Sequence, residues 1–408
     1  MPTVCLLKKT IFSLSQLGKI STSLGRFSHL GCLHFYRREA PGNLFLQIHL
    51  TQHSTQLPYP GLSSSTLETC SFQTDQSFPD YLPVVNLAIR GTNLAVIVRY
   101  SSDPETSDHP WTGHLSVWNW KIGEKKCEKL DIPDASRNIS LVFLTEDILV
   151  HGSSLGPILS LDVYHIPVST PSTGACDLRL IERLNLPRLK EFMEYVNPPF
   201  ISFVNNPTAV PSFTESSNPK VKRLLTADGL SSILAIEVMI DVDYIDRICF
   251  YFIIHYRALL GRADRALFHH ENGRDTEIIQ VRWEDWGPEV TRMFWLNHDA
   301  YSAPLEAVCG SHFYKRNGSF IEVYDFGDSS SGPVDRRRHR RRRDQFNVNN
   351  GLGSPDCFHW QNVVETKLPF VFQDFLMSMD VDITNWDRMY IDESRIVGVT
   401  DVSLLPNF

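Results

Sequence analysis

The chain has 408 residues, 42% of them hydrophobic and 11% aromatic, which is the composition of a globular protein with a sizeable core. Its longest apolar run, ICFYFII at 248–254, is far shorter than the ~20 residues that span a bilayer, so a membrane protein is not expected. The net charge of −8 includes seven arginines in RRRHRRRR at 336–343, so the remainder carries −8 − 7 = −15, unlike the broad basic face of a nucleic-acid-binding fold.

Residues 1–80 differ in composition from the rest of the chain. Residues 1–40 contain six Lys or Arg residues, many serines and no acidic residue before Glu39, as a mitochondrial transit peptide does. A disordered tail, or a mis-assigned start, is the alternative. Residues 50–80 are rich in Ser, Thr, Gln and Pro, which predicts a linker. We therefore expect an irregular, partly disordered N-terminal segment at 1–80.

From residue 81 the chain alternates short apolar runs with clusters of Gly, Pro, Asn, Asp and Ser, a pattern typical of successive β-strands. Only LPRLKEFMEYV at 186–196 predicts a helix, and LPFVFQDFLMS at 368–378 is ambiguous. The chain is therefore predicted to be mostly β. The eleven runs that predict strands are VVNLAI, NLAVIVRY, HLSVWNW, ISLVFL, DILVHG, PILSLDVYHI, LSSILAIEVMI, RICFYFIIHY, IIQVRWEDW, FIEVYDF and IVGVTDV.

The run HLSVWNW at 114–120 indicates which kind of sheet to expect. Leu115 and Val117 face one side and Trp118 the other, so both faces carry large side chains, as in a strand covered on both sides. A turn follows at 121–124, where Gly123 can adopt positive φ. The blades of a β-propeller have such strands, and blades of ~40–45 residues would fit about seven times into residues 81–400.

Seven segments of the chain occur in the same order as in a known group of proteins. They are LSVWNWKIGE (115–124), LVFLTEDILV (141–150), ILSLDVYHI (158–166), VRWEDWGPEVTRMF (281–294), FIEVYDFG (320–327), VVETKLPFVFQDFLMS (363–378) and MYIDESRIVGV (389–399). Together they resemble the C-terminal region of the F-box and F-box-like proteins of mushroom-forming fungi. The resemblance covers about three quarters of the chain, and WEDWGPEVTR and IDESRIVG are its most specific parts.

The resemblance implies a WD40-like, propeller-like interaction domain at 81–408. Within it, the turn-forming residues around the arginine run predict a disordered Arg-rich loop at 328–356. In such proteins an N-terminal F-box binds the Skp adaptor, and the remainder presents protein targets to a cullin ubiquitin ligase. No Leu-Pro-acid start followed by leucine-rich helices is recognisable in residues 1–80; in LPYPGL at 57–62, Pro60 and Gly61 would break a helix. Two functions stay open: a substrate-recognition component of a ubiquitin ligase, and a propeller scaffold with no link to the ligase.

Two motifs imitate catalytic sites. GSSLG at 152–156 matches the nucleophile elbow around Ser154, but a second strand rather than a helix is expected after it, which favours a hairpin loop. Asp325, Phe326 and Gly327 spell the kinase magnesium motif without the accompanying phosphate and catalytic loops, so a strand end is predicted.

Two groups of polar residues were considered as a catalytic pair and as metal ligands. Glu284 and Asp285 are adjacent, and neighbours on a strand point to opposite faces, so a shared catalytic role is not expected. Three histidines and an aspartate could form a metal site only if the fold brought them together, and the adjacent pair His269 and His270 is expected in a solvated loop. We predict no catalytic residue, no cofactor and no metal, and hence no enzyme. The residues considered as metal ligands are His269, His270, His298 and Asp299.

The eight cysteines are scattered without a CxxC pair, which predicts reduced, mostly buried thiols inside a cell. The arginine run at 336–343 is flanked by turn-forming residues and predicts a disordered loop first and a nuclear localisation signal second. A cytoplasmic or nuclear protein is therefore expected, with mitochondria as the alternative. The expected partners are protein targets, together with the Skp adaptor and cullin if an F-box is present.

Overall fold

The computed structural model describes the following parts of the chain: residues 32–40, 43–51, 66–73, 84–100, 111–119, 122, 124–134, 140–155, 158–167, 176–190, 199–204, 232–241, 247–271, 278–298, 306–317, 320–327, 364, 366, 368, 371–376, 388–391 and 396–399. Most of these residues lie in strands, and the protein is mostly β. Among them, no helix combines the length and the apolar character needed to cross a membrane.

Sheets I, II and III begin one after another along the chain. Sheet I is antiparallel and has the order β1-β2-β3. Sheet II has the order β11-β7-β6-β5-β4, with β11 parallel to β7. Sheet III has the order β16-β12-β10-β9-β8, with β16 parallel to β12. Their strands are β1 (Cys32–Ala40), β2 (Asn43–Thr51), β3 (Thr66–Gln73), β4 (Val84–Arg90), β5 (Asn93–Tyr100), β6 (Trp111–Asn119), β7 (Glu124–Asp134), β8 (Ser140–Phe143), β9 (Ile148–Leu155), β10 (Ile158–His165), β11 (Cys176–Asp177), β12 (Arg179–Asn185) and β16 (Ile279–Val281).

The other described elements are three antiparallel sheets and two helices. Sheet IV has the order β13-β14-β15-β17, sheet V the order β18-β19-β20-β21, and sheet VI pairs β22 with β23. The elements are β13 (Phe200–Phe203), β14 (Ile233–Asp241), β15 (Arg247–His255), α1 (Tyr256–Glu271), α2 (Trp283–Val290), β17 (Thr291–His298), β18 (Glu306–Cys309), β19 (His312–Asn317), β20 (Phe320–Asp325), β21 (Val371–Leu376), β22 (Arg388–Ile391) and β23 (Ile396–Val399).

The chain divides into two compact units, residues 1–151 with 164–180 and residues 152–163 with 181–408. Each unit has its own apolar core, built from alternating strand residues and their cross-strand neighbours. The core of the first unit contains Ala88, Ala95, Ile97, Leu115, Val117, Cys127, Ile132, Leu141, Phe143, Leu149, Tyr164, Ile166 and Leu178. The core of the second contains Phe200, Ile233, Ala235, Met239, Cys249, Tyr251, Ile253, Phe313, Phe326 and Leu368.

Two hairpins turn at a glycine in the left-handed region. Gly91 has a φ of 57° between β4 and β5, and Gly310 has a φ of 58° between β18 and β19. Each connection is only two residues long, and such tight turns need a residue that adopts positive φ without strain. Glycine at these positions therefore fixes the register of both hairpins.

The strand predictions agree with the structure at every one of the eleven runs, each of which contains a strand. Residues 114–119 of HLSVWNW lie in β6, and residues 113–118 are buried on both faces, as predicted. LPFVFQDFLMS, which was ambiguous, contains β21. IIQVRWEDW is wrong in its second half, because the strand ends at Val281 and a helix begins at Trp283.

Two other predictions need correction. The helix predicted at 186–196 is absent from 186–190, where the backbone N–H of Leu186 donates instead to the carbonyl of Leu159, 2.8 Å away. The linker predicted at 50–80 is wrong for residues 50–51, which end β2, and for Thr66–Gln73, which forms β3. The polar sequence TLETCSFQ still contains the strand-favouring residues Thr and Phe.

Several predictions fall on residues outside the described part of the chain. These are the transit peptide as far as residue 31, the Arg-rich loop at 328–356 with its run at 336–343, and residues 191–196 of the predicted helix. Of the eight cysteines, the burial of Cys127 and Cys249 is described, and both are buried, which agrees with the prediction of buried thiols for these two.

Candidate interaction surface on helix α1

Helices α1 and α2 lie in one connection, between strands β15 and β17 of sheet IV. The first helix follows β15 without a loop, and the backbone N–H of Tyr256 donates to the carbonyl of Ser232, 2.9 Å away. Between the helices, β16 adds to the edge of sheet III beside β12, with Ile279 paired to Glu182. The connection is therefore built into the second unit at several points.

One side of α1 is buried. The buried residues are three or four positions apart, so they form a single stripe along the helix. Alanines at two of these positions allow a close approach to the sheet, but they bury little apolar area. The stripe consists of Tyr256, Leu259, Ala263, Ala266 and His270.

Two polar contacts attach α1 to β12. The guanidinium of Arg262 donates from Nη2 to Oε1 of Glu182, 3.1 Å away. Two turns further along, Nε2 of His270 donates to the backbone carbonyl of Ile181 at 3.0 Å. The two contacts reach adjacent residues of the strand and so fix the helix along its length.

Glu182 is the most perturbed acid of this interface. The residue is only 4% exposed, and burial raises the pKa of its carboxyl; the positive charges of Arg262 and Arg265 oppose this shift only in part. Among the described residues, Oε2 of Glu182 and Nε of Arg262 have no hydrogen-bond partner. The pair is thus held by one hydrogen bond rather than by the two parallel bonds that a guanidinium can make.

The next residue of β12 makes a different ion pair. Arg183 donates from Nε and Nη2 to the two carboxylate oxygens of Asp162 on β10, at 2.7 and 2.9 Å. Neighbouring residues of a strand point to opposite faces, so β12 carries one ion pair on each face of the sheet. The pair to α1 has one bond and the pair within the sheet has two.

Helix α2 is fixed mainly by tryptophans. Nε1 of Trp286 donates to the carbonyl of Asn185, 2.8 Å away, at the end of β12. The ring of Trp283 makes edge contacts with Phe252 and Trp286, with ring centres 5.6 and 5.4 Å apart. Gly287 leaves room for this ring, since a Cβ there would lie 2.2 Å from an atom of Trp283.

The opposite side of α1 faces away from the sheet and forms what we call the α1 outer face. Its side chains are exposed at the spacing of one helical stripe. Phe268 is 62% exposed, and Ile278, which precedes β16, is 41% exposed. An exposed aromatic residue close to arginines is the composition that protein interfaces favour. The α1 outer face consists of Arg257, Gly261, Asp264, Arg265 and Phe268.

A separate polar cluster lies between β6 and β7 of the first unit. Oε2 of Glu128 is 2.6 Å from Nζ of Lys125 and 3.3 Å from Nε2 of His114. Burial alone would raise the pKa of Glu128, but Lys125 and His114 outweigh it and bring the pKa below its usual value. These contacts link the two strands of one hairpin, which indicates a structural role.

The structure places Ser154 inside β9, where it is 1% exposed. The predicted hairpin loop is therefore wrong for this residue, because the strand continues to Leu155. The motif Asp325, Phe326, Gly327 begins at the last residue of β20, which confirms the predicted strand end. Oδ1 of Asp325 accepts hydrogen bonds from Ser311 and from the backbone of Gly327.

The adjacent acids lie on a helix rather than on a strand, which corrects their prediction. Glu284 and Asp285 are in the first turn of α2, and Asp285 pairs with Arg282, with Nε and Oδ2 3.0 Å apart. Both acids are exposed. Acidic side chains in the first turn favour a helix through its dipole.

Three of the four residues considered as metal ligands lie in described elements. His269 and His270 lie in the last turn of α1 rather than in a solvated loop; the first is exposed and the second is buried. His298 ends β17, and Asp299 lies outside the described residues. Within the described ranges no group of three or more His, Cys, Asp or Glu residues is arranged to hold a metal.

No family model matches the chain, and no curated protein is significantly similar to it. The resemblance to F-box proteins therefore rests on the sequence segments alone.

Both helices were missed by the sequence reasoning. A signal was present for α1, since Tyr256, Leu259, Ala263 and Ala266 are spaced three, four and three positions apart. The partners of α1 on β12 gave no local signal, because Arg262 contacts Glu182 across 80 positions of sequence.

Proposed function

We propose that the protein is a non-enzymatic interaction module with propeller-like architecture, in which the α1 outer face binds a protein target. The architecture is supported by the order of the strands. Sheets II, III, IV and V each contain four strands that lie side by side in the order in which they occur along the chain. A propeller blade is a four-stranded sheet of this kind. The estimate of about seven blades stays a prediction.

The α1 outer face is the best supported binding surface. Insertions held on a rigid sheet scaffold commonly carry binding residues. Here α1 is attached to β12 by Arg262 and His270, so its outer face is presented in a defined orientation. Phe268 supplies an exposed aromatic side chain and Arg265 a neighbouring cation, the residue types that most often dominate binding energy.

The ligase role is proposed from the resemblance to F-box-like proteins, and a scaffold without a ligase link is the alternative. Purified full-length chain should be mixed with purified Skp adaptor and examined by sedimentation velocity. A stable complex at micromolar concentration supports the ligase role. No complex at about 50 μM, where even a weak specific contact would be visible, favours the scaffold.

The binding surface is tested by placing a photo-crosslinking amino acid at position 268 and, as a control, at position 158. Ile158 is the matched control because it is a similarly exposed apolar residue of the same unit, at 45% exposure. We expect a discrete protein adduct from position 268 and not from position 158.

The captured protein is then purified and titrated against two variants. Phe268→Ala should weaken binding about tenfold or more, since an aromatic hot spot contributes roughly 2 kcal/mol or more, whereas Ile158→Ala should change it less than about twofold. Equal affinities of both variants and the unmodified chain would remove the α1 outer face as the binding surface.

A further inference from the structure

The interface between α1 and β12 has the features of an element that can detach. It buries little apolar area, since the buried stripe of α1 includes Ala263 and Ala266. Its ion pair is nearly buried on the strand side but uses only one oxygen of Glu182. A carboxylate that is removed from water needs hydrogen bonds to both oxygens to recover its hydration energy.

We propose that Glu182 and Arg262 form a proton-sensitive latch, which holds α1 on β12 more firmly when Glu182 is protonated than when it is ionised. The latch concerns the docking of the helix itself. It does not depend on any partner, so it can fail or succeed independently of the proposed function.

The direction of the effect follows from the surroundings of the carboxyl. Burial raises the pKa of Glu182 in the docked state, and Arg262 and Arg265 counteract this only in part. When α1 lifts off, water reaches the carboxyl and its pKa returns to the ordinary value. The docked state thus binds the proton more tightly. Docking is strongest below the ordinary pKa and weakens as the pH rises through the raised pKa.

The charges around Glu182 come from a few elements. Helix α1 supplies Arg262 and Arg265. On β16 the residue paired with Glu182 is the uncharged Ile279. On β12 the neighbouring Arg183 points to the other face and is bound by Asp162.

His270 is the second titratable side chain at this interface, through its bond to Ile181. It lies at the end of α1, two turns from the ion pair. The experiment therefore includes a His270 variant beside the Glu182 variant.

The latch is tested by amide hydrogen exchange of α1 in the full chain at a series of pH values. Wild type is compared with Glu182→Gln at the same pH, so that the intrinsic exchange rate cancels. Gln resembles the protonated acid and should keep α1 protected throughout. We expect protection of the wild-type helix, relative to this variant, to fall by up to about tenfold per pH unit between the ordinary and the raised pKa.

Glu237→Gln is the matched control, because Glu237 is another buried carboxyl of the same unit. It should leave the pH dependence of α1 as in wild type. If the ratio of α1 amide protection in wild type to that in Glu182→Gln does not change with pH, the latch is overturned. So would a dependence that survives in Glu182→Gln and disappears in His270→Gln.

A pair of exposed variants tests the latch even if Glu182→Gln fails to fold. Arg265→Gln removes a charge that favours ionised Glu182, so the midpoint of the pH dependence should move to higher pH. Arg257→Gln removes another exposed arginine, eight positions earlier on the α1 outer face, and should leave the midpoint in place. Identical midpoints in both variants would contradict the proposal.

Discussion

Sheet IV and the interface between α1 and β12 both bury a glutamate, but they provide for it in different ways. In sheet IV, Oε1 of Glu237 accepts a hydrogen bond from Tyr251, and Oε2 accepts one from Ser202. In the helix interface, Glu182 has one bond, to Arg262, and its second oxygen has no partner among the described residues.

Strand register explains this difference. Ser202 and Tyr251 lie directly opposite Glu237 on the two neighbouring strands, so the ladder itself brings both hydroxyls to the carboxylate. A helix on a sheet has no such ladder and depends on the reach of one long side chain. Sheet IV also buries nearly every residue of β14 and β15 whose burial is described. A polar group is therefore built in more securely within a sheet than between a helix and a sheet.

The largest effect should come from the apolar interior of sheet IV. Phe252 is fully buried on β15 and touches Trp283, so Phe252→Ala should lower the free energy of unfolding by about 3–5 kcal/mol. Phe268→Ala, on the α1 outer face, is the control and should change it by less than about 0.5 kcal/mol. Urea unfolding followed by circular dichroism gives both values. Similar losses of unfolding free energy in the two variants would contradict the difference in burial between the interior of sheet IV and the α1 outer face.

A smaller loss should follow from breaking the helix interface. Arg262→Met keeps the aliphatic stem but leaves Glu182 without its counter-charge, which should cost about 2 kcal/mol, since the guanidinium side chain is itself partly exposed. The loss should shrink at low pH, because Glu182, whose pKa burial raises, is then neutral. Urea unfolding at several pH values checks this. A loss that is the same at every pH would show that charge is not what Arg262 provides.

Two helical glycines should respond with opposite signs: the loss at Gly287 should be comparable to that of Arg262→Met, and the gain at Gly261 should be the smallest effect. At Gly287 an added Cβ would overlap the ring of Trp283, so Gly287→Ala should cost about 1–3 kcal/mol. At the exposed Gly261 a Cβ would meet nothing within 4 Å, so Gly261→Ala should stabilise α1 by about 0.5–1 kcal/mol. Thermal unfolding of the two variants measures both signs. If Gly261→Ala destabilises the protein, the α1 outer face makes a contact at this position that contradicts the prediction.

The strands could be predicted because their signal is local. In β6 the alternation of large side chains on both faces is visible within seven residues, and burial on both sides follows from it. For α1 the buried stripe contains two alanines and a histidine, so its apolar period is weak. For α2 the sequence WEDWGPEV contains Gly287 and Pro288, which disfavour a helix, and packing of the tryptophans outweighs that preference.

The candidate site was less predictable than the fold, because it depends on contacts between distant parts of the chain. Arg262 is an ordinary surface residue by its sequence neighbours, and Glu182 an ordinary strand residue. Their pairing is set by the insertion of α1 between β15 and β17 and by the pairing of β16 with β12. Neither arrangement has a signature within a short window of sequence.

The separate docking of α1 is tested most directly by native-state hydrogen exchange of the full chain at low urea concentrations. The structure predicts that α1 amides exchange through an opening that costs less free energy, and depends less on urea, than the opening that exposes β15. A single free energy and a single urea dependence for both elements would contradict it, since α1 would then open only together with sheet IV.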